Sequence, residues 1–242
     1  MNQYQIFRAE ERGLSDFGWL NSRHSFSFGA FYNPQLMGFG ALRVLNDDIV
    51  GPGAGFNTHP HDNMEIISIP LEGSLEHRDS MGNHGFIHTG EIQAMSAGTG
   101  IFHSEYNQSK SSIVRFLQIW IVPNKRNISP RYAQMKINPE RHQNKFGLII
   151  SPVPSEETIW IHQNASLSLG NFEAGKNVLI PEAKNGIGNF LFVLKGKINL
   201  FGSTLNSRDA IGITESPLTE VSIEEQSQLL LLQVPLNPYS KN

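Results

Sequence analysis

Short apolar runs closed off by turn residues recur from end to end of this chain, and runs of about four to eight residues are strands rather than helices. In the first half they are ALRVLNDD, MEIISIPLEG, FIHTGEIQAMSAG and IVRFLQIWIVP; in the second, TIWIHQNASLSLG, NFLFVLKGKINLFG, DAIGITE and QLLLLQVP. Thirteen prolines and twenty-two glycines supply the interruptions. A chain of this kind is expected to be all-β.

After Ile121-Val122-Pro123 the sequence turns polar and broken through NKRNISPRYAQMKINPERHQNKF, and strand-like runs resume at Gly147. The segments IISIPLEGSLEH and LFVLKGKINLFG share one plan: an apolar strand, a charged residue with glycine as the turn, and a return strand. Two similar β-domains in tandem follow, at 1–128 and 147–242, joined by a linker at 129–146. The 242 residues suffice for two cores.

A net charge of −3 with scattered lysine and arginine offers no footprint for nucleic acid or an anionic membrane. The absence of cysteine rules out disulfides, thiolate ligands and a cysteine nucleophile. No stretch approaches about 18 uninterrupted apolar residues, and MNQYQIFRAEERG does not resemble a signal peptide. The expectation is a cytoplasmic monomer acting on a small molecule.

Four residues carry the chemistry. His59 and His61 lie in THPHDNMEI, and His103 and Glu105 follow in GTGIFHSEYN. Residues i and i+2 of a strand share a face, about 6.5–7 Å apart at Cα. If the two strands are neighbours, three imidazoles and a carboxylate converge on one divalent ion. Ligand chemistry alone leaves iron, manganese, nickel, cobalt, copper and zinc open. Glu65 has the same parity as His59 but stands about 20 Å of extended chain away, so Glu105 is the better ligand. His24, His77, His84, His88, His142 and His162 lack a partner at such spacing and read as surface or loop residues.

These motifs resemble the paired motifs of the cupin superfamily. More specifically, FSFGAFYNPQLMGFGALRVLNDD, GFNTHPHDNMEI, HRDSMGN, MSAGTGIFHSEYN, LQIWIVP and SPRYAQ look like the pirin family, whose bacterial members include pirin-like quercetin 2,3-dioxygenases. The resemblance runs almost continuously from Arg12 to Gln134 and is thin thereafter. It implies a bicupin of two small double-stranded β-barrels of jelly-roll type, with Fe2+ held in the first by the positions of His59, His61, His103 and Glu105. The second half lacks such a ligand set, so its interior is expected to be filled by side chains such as Leu191, Val193, Leu230 and Leu232.

The implied reaction is opening of a flavonol such as quercetin by dioxygen, with release of carbon monoxide and a depside. Glu105 is the candidate base for the substrate hydroxyl. Phe28, Phe31, Phe39, Met95 and Phe102 are near enough to the motifs to line a pocket, although core positions suit each of them better. Animal pirins imply an alternative, an iron-dependent redox sensor or transcription coregulator that binds proteins; a dioxygenase for another aromatic substrate is a third reading. Arg131 in SPRYAQ reads as one half of a structural salt bridge.

Overall fold

A computed structural model describes residues 3–214 and 219–238, so the outer ends of the two expected domains lie outside the described residues. The first half contains β1 (Tyr4–Phe7), β2 (Gly13–Asp16), β3 (Leu20–His24), β4 (Leu42–Val50), β5 (Gly55–His61), β6 (Glu65–Glu72), β7 (Ser74–Asp79), β8 (His84–His88), β9 (Glu91–Ser96), β10 (Ile101–Asn107), β11 (Val114–Ile121) and β12 (Arg131–Lys136). The second contains β13 (Gly147–Ser151), β14 (Ile159–Trp160), β15 (Ser166–Phe172), β16 (Asn177–Ile180), β17 (Ile187–Lys195), β18 (Lys197–Leu200), β19 (Ser203–Asn206), β20 (Ala210–Ile213), β21 (Thr219–Ile223) and β22 (Ser227–Pro235).

Each half pairs a seven-stranded with a four-stranded sheet. The first sandwich sets β12-β9-β6-β11-β4-β3-β2 against β5-β10-β7-β8; the second sets β1-β20-β17-β22-β15-β13-β14 against β16-β21-β18-β19. This is the expected all-β bicupin of jelly-roll type, with the facing sheets separate rather than hydrogen-bonded into closed barrels.

The large sheets are buried on both faces, which explains why much of their sequence runs apolar without clear alternation. On β11, Leu117, Ile119 and Ile121 join a core shared with Phe190, Leu230 and Leu232 of the second domain. Their neighbours Gln118 and Trp120 line a cavity inside the first sandwich. Full burial of each such Leu or Ile contributes about 1.5–3 kcal/mol, so the domain interface is a true core.

The same two-faced packing corrects one expectation. Leu191 and Val193 do fill the second sandwich, but the residues of β22 that accompany them are Leu229 and Leu231. Leu230 and Leu232 point the other way, into the interface. In a strand reading Leu-Leu-Leu-Leu, no alternation marks which face is inside.

Two segments depart from the expected division into domains. The opening strand β1 pairs with β20 of the second sheet. Residues 129–146, expected as a linker, contain β12, which extends the first sheet by pairing with β9 over Arg131–Lys136.

Tight turns hold the site strands. Gly98, just before β10, has φ +51, and an added Cβ would strike the carbonyl oxygen of Ile128. Left-handed backbone costs about 1–2 kcal/mol with a side chain, before any overlap. Gly98→Ala is therefore expected to lower stability by about 2–4 kcal/mol, read as a lower urea midpoint at unchanged m-value.

Candidate metal centre

The centre is built on the smaller sheet of the first domain, where β10 lies between β5 and β7. Along β10 the side chains of Ile101, His103, Glu105 and Asn107 are buried and the alternate ones are not. The antiparallel register sets His103 opposite His59 and Ile101 opposite His61. A bulge follows, since Glu105 pairs with Phe56. Bulges of this kind re-aim side chains beside functional sites.

The donor atoms of His59, His61 and His103 lie within 4.8 Å of one another. Nδ1–H of His59 donates to the Asn57 carbonyl at 2.7 Å, which leaves its Nε2 lone pair facing His103 Nε2 at 3.0 Å. Two nitrogens each about 2.1 Å from one ion and at right angles are about 3 Å apart, so this pair fits adjacent ligands of a single cation. Burial, reinforced by the neighbouring imidazoles, pushes His61 down to about 4 and His103 to about 3. Both rings are thus neutral at pH 7, the form that binds metal.

Glu105 is buried and fixed by two donors. Ser68 Oγ donates to Oε1 at 3.0 Å and Gln118 Nε2 to Oε2 at 2.7 Å. Its carboxylate lies within 4.8 Å of ring nitrogens of His103 and His77. His103 therefore belongs to two overlapping donor groups, one with His59 and His61, the other with His77 and Glu105. Asn107 is no ligand; its Nδ2 ties the end of β10 to the carbonyls of Val50, Gly51 and Ser112.

His77 is the residue that spacing did not reveal. Far from being a surface residue, it is wholly buried, opposite Glu105 in the β7–β10 register, with its ring against Tyr132 of β12. Its Nε2 lies 3.2 Å from Asp79 Oδ2, and its Nδ1 is buried without a partner. A signal was present: in Leu75-Glu76-His77-Arg78-Asp79 the charged Glu76 and Arg78 alternate with Leu75, placing His77 on the inner face. His24 and His142 are also buried rather than on the surface.

A cavity of about 190 Å³ opens onto this cluster, lined among others by His24, Phe28, Asp48, Phe56, His59, His61, Glu105 and Trp120. Of the aromatic and methionine residues considered from sequence, Phe28 lines it. Phe39 packs in the interdomain core, Met95 is buried beside Ile66, and Phe102 is exposed. The Trp120 ring stands 4.9 Å from that of His61, and its indole N–H is buried without an acceptor. Asp48 accepts from Ser22, and burial pushes its pKa up to about 7.

Glu65 stands apart from the donor groups. It accepts from Ser96 Oγ at 2.7 Å, and burial raises its pKa to about 7 against hydrogen bonds from Ser96 and the His162 backbone and the charge of Arg131. Arg131 itself donates to the Trp160 carbonyl and lies 4.4 Å over the Trp160 ring, a different role from the salt bridge expected. Because Glu65 has a higher pKa folded than unfolded, its stabilisation is complete below the ordinary value of 4.5 and is lost as pH rises through about 7. Glu65→Gln is expected to make metal-free protein more stable at pH 8, on the order of 2–3 kcal/mol, and to flatten part of the pH dependence of urea unfolding. Asp48 accounts for a similar part, so an unchanged profile in Glu65→Gln would refute this.

Two sandwiches sharing one core, the first with imidazoles gathered on its smaller sheet, define a two-domain cupin-type protein with a cluster suited to a divalent metal. Residues 7–121 match the family described as Pirin, and 148–234 the quercetinase C-terminal cupin domain. A quercetin 2,3-dioxygenase of Escherichia coli K12 is 39% identical over 231 residues, covering 94% of this chain and 97% of that protein. A crystal structure of an E. coli bacterial pirin in complex with nickel(II) superposes with TM-score 0.91 at 37% identity, covering 96% of this chain and 99% of that one. A quercetin 2,3-dioxygenase from Acinetobacter baumannii shares the fold, at TM-score 0.77 and 19% identity over 96% of this chain and 86% of that one. The chain belongs to the pirin family.

Proposed function

We propose that this protein is a metal-dependent dioxygenase that opens the ring of flavonols such as quercetin and releases carbon monoxide, with Fe2+ held by His59, His61, His103 and Glu105. The observation that carries the reading is the 3.0 Å approach of the His59 and His103 imidazole nitrogens, with a third imidazole and a buried carboxylate at the same cavity. The names of the relatives support the substrate class, and the nickel complex of a related pirin supports a divalent ion.

When bound, such an ion supplies Lewis acidity toward a substrate oxygen and a partner for dioxygen. The residues of the chain do the rest. Ser68 and Gln118 hold the Glu105 carboxylate where it accepts the proton of the flavonol hydroxyl. Phe28, Phe56 and Trp120 offer apolar faces to a flat ring and exclude water from it. At about 190 Å³ the cavity is smaller than the ~300 Å³ at which sites for drug-sized ligands begin, so the reacting ring enters and the remainder lies at the mouth beside exposed Phe17.

Purified protein reconstituted separately with ferrous iron, nickel, manganese or copper is expected to consume oxygen with quercetin and evolve carbon monoxide with at least one ion. Failure to take up oxygen with every one of these ions would sink the enzyme reading and favour a redox-sensing protein-binding module.

A further inference from the structure

A second and larger cavity, about 740 Å³, lies between the two domains, well within the range of small-molecule sites. Its lining includes Arg115 at the start of β11, Lys195 at the end of β17 and Arg208 in the turn between β19 and β20. Among its described lining residues there is no carboxylate, although the chain carries a net charge of −3. Cations gathered at one cleft repel one another, and an anion bound among them would offset that repulsion.

The chain itself offsets little. Asp47 reaches Arg208 Nε at 3.3 Å but also faces Arg12 at 3.9 Å, so one carboxylate serves two guanidinium groups. Nε of Arg115 and Nη1 of Arg208 are buried with no hydrogen-bond partner. Arg208 also has φ 75, a left-handed conformation that residues with a Cβ rarely adopt. A glycine would relieve that turn, and an arginine held there against strain is consistent with a role for its side chain. Below the cations the walls are apolar, with Ile137, Leu169 and Leu194.

We propose that this interdomain cleft binds a small organic oxyanion with an aromatic or alicyclic body, either a carboxylate or a phosphate ester. Arg115, Lys195 and Arg208 hold the oxyanion, and Ile137, Leu169 and Leu194 receive the body. Guanidinium groups suit both kinds of oxyanion because their paired N–H groups match two oxygens at once.

Calorimetric titration of the full chain with 2-naphthoate and with 1-naphthyl phosphate tests this and distinguishes the two sources of charge. At least one is expected to bind once per chain, about tenfold or more tighter than the neutral 2-naphthamide and than inorganic phosphate. Arg208→Met and Arg115→Met are each expected to weaken it about tenfold, and His59→Ala to leave it unchanged, which separates the cleft from the histidine cavity. Should either arginine variant fail to fold, the exposed Lys195→Met is expected to weaken binding about threefold to fivefold. Equal affinity for the neutral compound, no saturable binding by either anion, or wild-type affinity in the folded variants would each overturn the proposal.

Discussion

His103→Ala is expected to lower metal affinity by more than about a hundredfold and to abolish quercetin-dependent oxygen uptake, while the thermal transition of the metal-free protein shifts little. His103 is the one side chain common to both donor groups, and it is buried where His59 and His61 are partly open to solvent. Its removal leaves two imidazoles on the half-exposed strand β5 and separates them from Glu105. In the absence of an ion the His103 ring makes a single side-chain hydrogen bond, to His59, and its Nδ1 is buried without a partner, so the metal-free fold tolerates the loss. Metal content after gel filtration, measured beside the wild type, is the readout; near-stoichiometric metal in His103→Ala would contradict it.

The second large effect belongs to Glu105. Glu105→Ala, fully loaded by excess metal, is expected to lose about 10²- to 10⁴-fold in kcat, the range a positioned base contributes. Three imidazoles remain to hold the ion, so the loss is one of turnover rather than occupancy. Ser68→Ala removes the donor to Oε1 and frees the carboxylate to rotate, so a smaller fall in kcat is expected there, with the metal retained. Full activity in metal-loaded Glu105→Ala would end its assignment as base and leave it, at most, a ligand.

The parts of this site that were legible in the sequence are those fixed by strand period. His59 with His61, and His103 with Glu105, follow from two residues per repeat, and the approach of His103 to His59 and His61 needed only that β5 and β10 be neighbours, as they are. His77 required knowledge of which strand flanks β10 on the other side, and that pairing is made between chain segments some thirty residues apart. Ser68 and Gln118, which hold Glu105, sit in runs that read as uniform apolar strands, because the second face of the sheet is buried against the other domain. The same cause hid the phase of β22. Residues 4–7 and 131–136 were misplaced for a related reason: each completes a sheet edge, and the neighbours of an edge strand are set by tertiary packing rather than by its own pattern.

The donor groups containing His103 make different claims about where an ion sits. A crystal grown with nickel or iron and measured at the absorption edge of that metal separates them most directly. The account predicts one anomalous peak per chain, about 2.0–2.2 Å from a ring nitrogen of each of His59, His61 and His103 and from a Glu105 oxygen. A peak bonded instead to His77, or one away from β10 altogether, would contradict it.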